Sequence, residues 1–535
     1  MNILFVLYGD FTTNSAVHLT LHARALNSGG HSCAVAVPRN LESIKHCHDV
    51  FFRPVLYADV LIAPDSIFPD GRPADIIHAW TPRENVRRFV TTYMAKHPTP
   101  LIIYLEDHES WISCRALGYD EVTLVQQTEQ SISDRLPDSL SHPFRYDSFI
   151  GLADAVVLIQ DKLNADVPSW VYFATVMPSV DLDFFSPRAA NSLLRKQYGV
   201  ADNERVIVYP GGLNGFTQPA IETLCRAVGL INGQGFPCRL LRTGPFALDF
   251  LEQLPPETAA VINDLGVLPR SVLPDLFALA DVFVQPGKVD PFEDLRLPGK
   301  LPELLAMGRP VIMPDVNIAH LFKDGIDVVL TQTGSAEEIA EKCIALFSDP
   351  QQAENIGKAG RLFAESYFEI KTQAEKLVNV YQIACENFNP SIAKKIWQLA
   401  DKNTPVTLLL ARKLKLLADS KNTKLHIEAP VILKQHADYI ELMQQRISGL
   451  EITITDLTQV VAERDEQITD LNIEVAERNK EVAQLNKDLA ERDEQISRLN
   501  GVIDETLGSP SWRLTRPVRY VGHQLLKMKT RSDKT

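Results

Sequence analysis

The sequence predicts an α/β protein with two parallel-sheet domains, followed by a long helical segment. The chain opens on an apolar strand pattern at residues 2–8, then a helical segment, then a second apolar strand, CAVAVP. This order is typical of a βαβ unit with parallel strands. A second series of the same kind starts at residues 205–209, RVIVY. From residue 447 to residue 503, apolar residues alternate at spacings of three and four, which is the pattern of a coiled coil.

Length and composition are those of a multidomain globular protein. The chain has 535 residues, of which 45% are hydrophobic and 23% charged, so it is long enough for two or three domains. A net charge of −14 argues against general nucleic-acid binding, and no nucleic-acid partner is predicted. No run of residues approaches the roughly 18 apolar positions that a membrane-spanning helix needs.

The cysteine pattern indicates a reducing compartment. The seven cysteines are dispersed and none forms a C-x-x-C pair, so we expect free thiols in the cytoplasm. The run His46-Cys47-His48 contains metal-binding residue types, but neighbouring residues on one strand or loop rarely converge on one ion. We therefore predict no metal site and no cofactor.

The most informative stretch is residues 290–314, DPFEDLRLPGKLPELLAMGRPVIMP. A charged loop leads to Gly299, a short helical run starts at Lys300, and a Gly-Arg-Pro turn precedes an apolar strand. Free backbone N–H groups at a helix start favour anions, and Lys300 adds a mobile cation for phosphate. Glu303, one turn into the helix, can accept hydrogen bonds from a sugar diol. The stretch therefore predicts a site for a nucleotide diphosphate that carries a sugar.

This stretch resembles the donor site of the family 4 glycosyltransferases, which have the GT-B fold of two Rossmann-like domains facing across a cleft. Glu303 followed by Ala306-Met307-Gly308-Arg309-Pro310-Val311 matches the second half of the family's E-x7-E and A-M-A-x-G-x-P-V pattern. Leu295 stands where the first Glu is expected, and Asp294 or Glu293 is the alternative for that role. The loop resembles a variant branch of the family through Asp290, Asp294, Arg296, Pro298, Lys300, Leu301 and Glu303.

The resemblance extends over roughly residues 1–385 and implies further site residues. In the second domain it implies donor binding by the glycine loop at Gly211 and Gly212, although no Lys follows that loop, and by Arg242 on the next strand. On the acceptor side, the loop after the first strand keeps only Gly9 of the family's glycines, with Thr12 close by. His78 ends a further strand. Either Glu106 or His108 stands where many relatives place an acceptor-side His.

The family pattern and the composition divide the chain into five segments. We predict an acceptor domain at residues 1–180, a nucleotide-sugar donor domain at 181–385, a helical linker at 386–440, a coiled coil at 441–505 and a basic amphipathic tail at 506–535. Residues 110–150 are polar and are predicted to be irregular, as an insertion on the acceptor side.

The coiled-coil segment predicts self-association. A 14-residue repeat, VAERDEQITDLNIE, VAERNKEVAQLNKD and LAERDEQISRLNGV, lies inside the heptad pattern. It places Arg464, Arg478 and Arg492 at d positions, where a charged residue lowers stability and can specify register or partner. The pattern leaves a parallel dimer and a trimer both open.

The tail predicts contact with a membrane surface. From Gly508 onward there are seven Lys or Arg residues against one Asp, while the rest of the chain is acidic. Aromatic and apolar residues are interspersed with these cations, which suits an interface with anionic lipid. The run S-W-R-L-T also resembles a tail found after coils in bacterial surface-polysaccharide glycosyltransferases.

Together these features predict a retaining glycosyltransferase that uses a nucleotide sugar and a glycan or lipid-linked acceptor. By resemblance, it would act in bacterial cell-surface polysaccharide or lipopolysaccharide synthesis, in the cytoplasm and peripherally on the inner membrane. The alternative is a non-catalytic GT-B scaffold that organises polysaccharide enzymes through its coil, since the first Glu and the loop Lys are missing. Another GT-B enzyme, such as a nucleotide-sugar epimerase or a phosphorylase, is a third option.

Overall fold

The structure is a computed structural model that describes residues 1–47, 49–213, 217–245, 250–401, 411, 412, 415 and 429–532. It divides into two units, residues 1–426 and 427–535. The larger unit contains two parallel sheets and the smaller unit is helical.

The first sheet has seven parallel strands in the order β3-β2-β1-β4-β5-β6-β7. Its central strands are buried on both faces because helices cover both sides, which is why they read as continuous apolar runs. The strands are β1 Asn2–Leu7, β2 Ser32–Val37, β3 Arg53–Leu56, β4 Ile76–Trp80, β5 Leu101–Leu105, β6 Ala155–Leu158 and β7 Tyr172–Thr175.

The second sheet has six parallel strands in the order β10-β9-β8-β11-β12-β13. One of its faces, which includes Val206 and Val208, belongs to the same hydrophobic core as the first sheet, and its other face packs in a separate core. The strands are β8 Arg205–Pro210, β9 Cys238–Thr243, β10 Ile262–Asp264, β11 Val282–Val284, β12 Val311–Pro314 and β13 Val329–Thr331.

Seventeen described α-helices accompany the two sheets within residues 1–401. Those associated with the first domain are α1 Asn14–Ser28, α2 Tyr57–Ile62, α3 Glu84–Lys96, α4 Glu109–Leu117, α5 Glu121–Val125, α6 Glu129–Arg135 and α7 Tyr146–Ile150. The others are α8 Ser192–Gln197, α9 Gln218–Gly233, α10 Pro256–Ala259, α11 Leu273–Phe277, α12 Pro291–Asp294, α13 Leu301–Ala306, α14 Ala336–Ser348, α15 Pro350–Tyr367, α16 Ile370–Asn387 and α17 Pro390–Ala400. Short 3-10 helices lie at Leu41–His46, Pro64–Ser66, Asp161–Asp166, Leu251–Gln253, Arg270–Val272 and Asn317–Leu321.

The chain crosses between the sheets twice, at neighbouring points. After β7 it runs into the second domain, and α16 brings it back to pack on α1 and β6 of the first. The two crossings touch where the Val180 N–H donates to the Phe368 carbonyl at 2.9 Å. The Tyr381 hydroxyl on α16 lies 2.8 Å from His78 Nδ1, so the returning helix is anchored in the core of the first domain.

The predicted two-domain α/β fold is confirmed by these two facing sheets, but the prediction for residues 110–150 is wrong. Four short helices, α4 to α7, occupy this segment. Local capping explains three of their starts: the side chains of His108, Asp120 and Thr128 each accept a backbone N–H of the first turn. Polar composition here reflects helix caps and short amphipathic helices rather than irregular chain.

In the smaller unit, residues Ala429–Gly508 form one continuous helix, followed by helices Pro510–Leu514 and Arg516–Ser532. The apolar residues of the heptad pattern that are described there are exposed, for example Leu471 at 59% and Leu485 at 67%. Part of the predicted linker, residues 402–410, 413, 414 and 416–428, lies outside the described residues. Among the helices of the described residues, none is both long and apolar enough to cross a membrane.

Candidate functional site

A cleft of about 580 Å³ lies between the two domains, at the carboxyl ends of the strands. This is where open parallel α/β sheets bind ligands, because the loops after the strands converge there. Charged side chains from both domains line the cleft: Glu106 and Asp107 from the first, and Arg270, Glu293, Arg296, Lys300 and Glu303 from the second.

Lys300 stands at the start of α13 and faces the glycine loop that follows β8. Its Nζ lies 4.0 Å from the centre of the Tyr209 ring. A Cβ added to Gly211 would lie 2.7 Å from the same Nζ, so only glycine leaves the lysine its place. Within the described part of the chain, Lys300 forms no ion pair, and its charge is available to an anion in the cleft.

Glu303, one turn into α13, is 8% exposed and pairs with a residue that the sequence analysis did not single out. Arg270 Nη2 lies 2.5 Å from Glu303 Oε1. The Arg270 guanidinium also stacks over the Phe185 ring, with 5.1 Å between them, which fixes its orientation. The carboxylate is therefore held in one orientation at the cleft wall, with a cation beside it.

Glu106 follows β5 and lines the cleft from the first domain. The Ser15 hydroxyl donates to its Oε2 at 2.5 Å and the Trp80 indole N–H donates to its Oε1 at 2.7 Å. Burial raises its pKa to about 7, against the opposing effect of these two hydrogen bonds. A carboxyl group with this pKa can exchange a proton with an acceptor hydroxyl near neutral pH.

A charged network spans the cleft beside this carboxylate. Arg296 Nε lies 3.5 Å from Asp107 Oδ1 in the first domain, and Arg296 Nη1 lies 3.5 Å from Glu293 Oε1. Burial raises the pKa of Glu293. Of the two alternatives for the first-Glu role, Glu293 lines the cleft and Asp294 does not.

His18 brings helix α1 against the predicted phosphate loop. A Cβ on Gly299 would lie 2.2 Å from His18 Nε2, so the close approach of the two segments requires glycine there. His18 is 8% exposed and burial lowers its pKa to about 4, so it is neutral in the folded protein. The ring therefore packs against the loop without competing for an anion.

Arg242 does not reach the cleft, contrary to the sequence-based expectation. It is 1% exposed, pairs with Asp264 at 2.6 Å, and donates from Nη2 to the carbonyls of Gly211, Gly244 and Pro245. Its guanidinium holds the glycine loop from below. The Gly211 N–H donates to the Thr243 carbonyl at 2.8 Å and is occupied within the sheet, while Gly212 lines the cleft.

The structure places three further predicted residues away from the cleft lining. His78 is fully buried between β1 and α16, where it contacts Tyr381. His108 caps α4 and lies 3.6 Å from Asp166. Gly9 lies just before the cleft-lining Thr12, and a Cβ there would meet the Thr13 methyl at 2.6 Å.

Asp294 also points away from the cleft lining, and its contacts join the two domains. Its Oδ1 accepts from Lys162 Nζ at 2.6 Å and from the Asn317 N–H at 2.7 Å. Of the two candidates for the acceptor-side role, Glu106 lines the cleft and His108 does not.

Sequence reasoning missed Arg270, His18 and Ser15, all of which line the cleft. Arg270 follows Gly266-Val267-Leu268-Pro269, a segment just after a short strand. Its place in the loop after a strand end is the feature of the sequence that could have indicated a cleft residue. His18 and Ser15 lie on α1, and no local pattern distinguishes them from ordinary helix residues. Within the described residues, no group of three or more His, Cys, Asp or Glu side chains is placed to hold a metal ion.

Residues 204–349 match the family model described as "Glycosyl transferases group 1". No curated protein matches the chain. Among solved structures, Anabaena HepE in complex with UDP-glucose is similar with a TM-score of 0.53 at 16% identity, over 71% of this chain and 99% of that one.

Two further solved structures share the same architecture. A glycosyltransferase from Rickettsia africae has a TM-score of 0.54 at 14% identity, over 72% of this chain and 99% of the other. Sucrose-phosphate synthase from Thermosynechococcus elongatus has a TM-score of 0.54 at 14% identity, over 71% and 98%. The second domain therefore matches the group 1 glycosyltransferase model, and the chain shares the two-sheet GT-B fold of these solved structures.

Proposed function

We propose that the protein transfers a sugar, with retention of configuration, from a nucleotide-sugar donor to a hydroxyl group of a glycan acceptor in this cleft. The observation that carries the proposal is the position of Lys300. It lies at the glycine loop of the second domain without a carboxylate partner among the described residues, in the same cleft as the Glu303–Arg270 pair and Glu106. A diphosphate group would supply the negatively charged partner for this lysine.

The second domain would hold the donor. Negative charge develops on the leaving diphosphate as the bond between its oxygen and the anomeric carbon breaks, and a fixed cation at that point lowers the barrier. Lys300 is placed for this role, with the Gly299 turn beside it. The Glu303 carboxylate, oriented by Arg270, would accept hydrogen bonds from hydroxyl groups of the sugar. Glu293 and Arg296 line the adjoining wall.

The first domain would hold the acceptor. The acceptor hydroxyl oxygen forms the new bond to the anomeric carbon and gives up its proton. Glu106 is the group placed to accept hydrogen bonding or the proton from that hydroxyl, since burial brings its pKa to about 7. The released proton and the free nucleoside diphosphate complete the products. Retention of configuration is supported only by the resemblance of the donor motif.

The chemistry of the donor base is suggested by similar structures. Anabaena HepE, which shares the two-sheet fold, was solved in complex with UDP-glucose. We therefore infer that a uridine diphosphate sugar is the first donor to test, and UDP itself is the first probe of the site.

The helical unit would place the enzyme at its acceptor. We infer self-association through residues 447–503, whose described apolar residues are exposed on a helix of 80 residues. The basic tail would bind the cytoplasmic face of the inner membrane, where a lipid-linked glycan is accessible. Such an enzyme would serve bacterial cell-surface polysaccharide or lipopolysaccharide synthesis.

Thermal-shift binding against a panel of nucleotide sugars tests the proposal. We expect one member to raise the melting temperature of wild type, and Lys300→Ala and Glu303→Ala to abolish that increase. Lys358→Ala is the matched control, because Lys358 pairs with Glu354 on an exposed helix face. Stabilisation that persists in both cleft variants would contradict this site, and no stabilisation by any member would favour the non-catalytic scaffold.

A further inference from the structure

The loop that precedes Lys300 contacts the first domain through three of its residues, Phe292, Asp294 and Arg296. Residues 290–298, which we term the bridging loop, belong to the second domain between β11 and α13. They reach residues 107–115 after β5 and residues 160–162 after β6 of the first domain. These contacts come from two separate connections of the first sheet, so the bridging loop is held on two sides.

Asp294 makes the polar contacts on one side. Its Oδ1 accepts from Lys162 Nζ at 2.6 Å, and its backbone carbonyl accepts from Gln160 Nε2 at 3.1 Å. The same Oδ1 accepts from the Asn317 N–H at 2.7 Å, within its own domain. One carboxylate therefore links Lys162 of the first domain to two separate segments of the second.

Phe292 makes the apolar contact on the other side. Its ring stacks with Trp111 of α4, with 6.2 Å between centroids at 22°. The Arg115 guanidinium lies 4.8 Å from the ring centre, and Arg296 lies 5.1 Å from it. Arg296 continues to Asp107, which adjoins the acceptor-side Glu106. Phe292 and Arg296 thus join α4 and the acceptor wall to the donor loop.

We propose that Asp294 is a positioning residue that joins the two domains through Lys162, and not a ligand of the donor. Its ion pair with Lys162, its absence from the residues that line the cleft and the contacts of Phe292 and Arg296 in the bridging loop all support this role. Lys300 and Glu303 follow the loop directly in sequence. Holding the loop against the first domain therefore sets the distance between the donor-binding residues and Glu106, on which transfer between the two substrates depends.

A double-mutant cycle tests this inference, which rests on the proposed function only where substrate is used. The variants are Lys162→Met, Asp294→Asn and the double variant, with Lys358→Met as the matched surface control. Binding of UDP by calorimetry, KM and kcat are measured, together with amide hydrogen exchange across residues 109–117 and 290–298 in the full chain. Exchange reports the contact between the domains whether or not any donor binds.

We expect Lys162→Met and Asp294→Asn each to raise exchange in both segments. Exchange in the double variant should match that in Asp294→Asn, because both substitutions remove the same ion pair between Lys162 and Asp294. UDP affinity should fall by at most about fivefold in each, the range of a partly exposed ion pair, with a larger loss in kcat than in affinity. The control should match wild type in every measurement.

A different result overturns the inference. If Asp294 binds donor directly, Asp294→Asn alone should lose UDP binding, Lys162→Met should match the control, and exchange at residues 109–117 should stay unchanged. A wild type that fails to bind UDP would count against the proposed donor, while unchanged exchange in both variants would by itself overturn the role assigned to Asp294.

Discussion

Arg270 and Glu303 form a 2.5 Å ion pair at the wall of the interdomain cleft, with side chains 22% and 11% exposed. Glu303 belongs to the motif that predicts a sugar nucleotide, whereas Arg270 follows Pro269 more than thirty positions earlier. The pairing shows that the motif's carboxylate is oriented by a cation from a different loop, so two connections of the second sheet together build this wall of the cleft.

Replacing Arg270 by Met should weaken both stability and donor binding. The Glu303 carboxylate would be left largely buried without its cation, which we expect to lower the free energy of unfolding by about 1–3 kcal/mol. Thermal denaturation and nucleotide-sugar titration measure the two effects. Arg226→Met is the control, because its pair with Glu337 is 64% and 65% exposed and should contribute less than about 1 kcal/mol. Equal losses in both variants would contradict a special role for Arg270.

Glu106 should give the transfer rate an acid limb near pH 7. Burial raises its pKa from 4.5 to about 7, so the carboxylate that acts on the acceptor forms only as pH rises through that value. We expect kcat to rise across pH 6–8 in wild type and to be low and flat in Glu106→Gln. Glu341→Gln, an exposed change on α14, should keep the wild-type profile.

The same carboxyl group should affect stability with the opposite trend. A raised folded-state pKa means that the native protein binds more protons than the unfolded chain between about pH 4.5 and 7. Wild type should lose stability relative to Glu106→Gln as pH rises through this window, by up to about 3 kcal/mol. Denaturation of both proteins at pH 5 and pH 8 measures the difference. Parallel stability curves would contradict burial of a titrating Glu106.

Gly211→Ala should displace Lys300, the proposed donor-binding lysine. The added methyl would lie 2.7 Å from Lys300 Nζ and 2.8 Å from the Tyr209 hydroxyl. The lysine end can move, so we expect the fold to persist while nucleotide-sugar affinity falls about tenfold, the effect of losing one charged hydrogen bond. Gly233→Ala is the control, because no atom lies within 4 Å of the added methyl there. Unchanged affinity in Gly211→Ala would mean that Lys300 does not contact the donor.

The exposed heptad residues should make the helical unit associate with a second copy of the chain. Replacing Arg464, Arg478 and Arg492 together by Leu should raise the melting temperature of the helix signal, because these arginines occupy d positions.

Val475→Cys at an a position should form a disulfide-linked pair on mild oxidation if the chains are parallel and in register. Lys480→Cys, away from the a and d positions, is the control, and light scattering distinguishes two chains from three. A monomer by light scattering would refute self-association.

The basic tail should bind vesicles that contain anionic lipid. Val518 and Leu525 are 73% and 62% exposed on the helix Arg516–Ser532. We expect Val518→Asp with Leu525→Asp to abolish co-sedimentation with such vesicles, and high salt to weaken binding of wild type. Vesicles of neutral lipid are the control. Equal binding of wild type and the double variant would exclude an apolar contact with the membrane.

The features that can be predicted from the amino-acid sequence are those that depend on residues close together in the chain. The strands are buried on both faces, so β1, β5 and β8 appear as apolar runs, and the two-domain α/β class follows from their alternation with helices. Lys300 and Glu303 are predicted as site residues because a loop, a helix start and a strand follow one another within one short stretch, and both line the cleft. Glu106 is one of two alternatives that the sequence predicts after a buried parallel strand, and it lies at the cleft edge of the sheet.

Which side chains face the cleft depends on contacts between distant segments of the chain, so it is visible only in the folded structure. Arg242 and Asp294 have the charge and the sequence position of ligand-binding residues. Arg242, however, donates hydrogen bonds to carbonyl groups of the glycine loop, and Asp294 forms an ion pair with Lys162 of the first domain. Arg270 and His18 enter the site from segments without any motif. Side-chain direction at a loop depends on packing partners that are distant in the sequence, and burial of a charge is decided by the partner that it meets there.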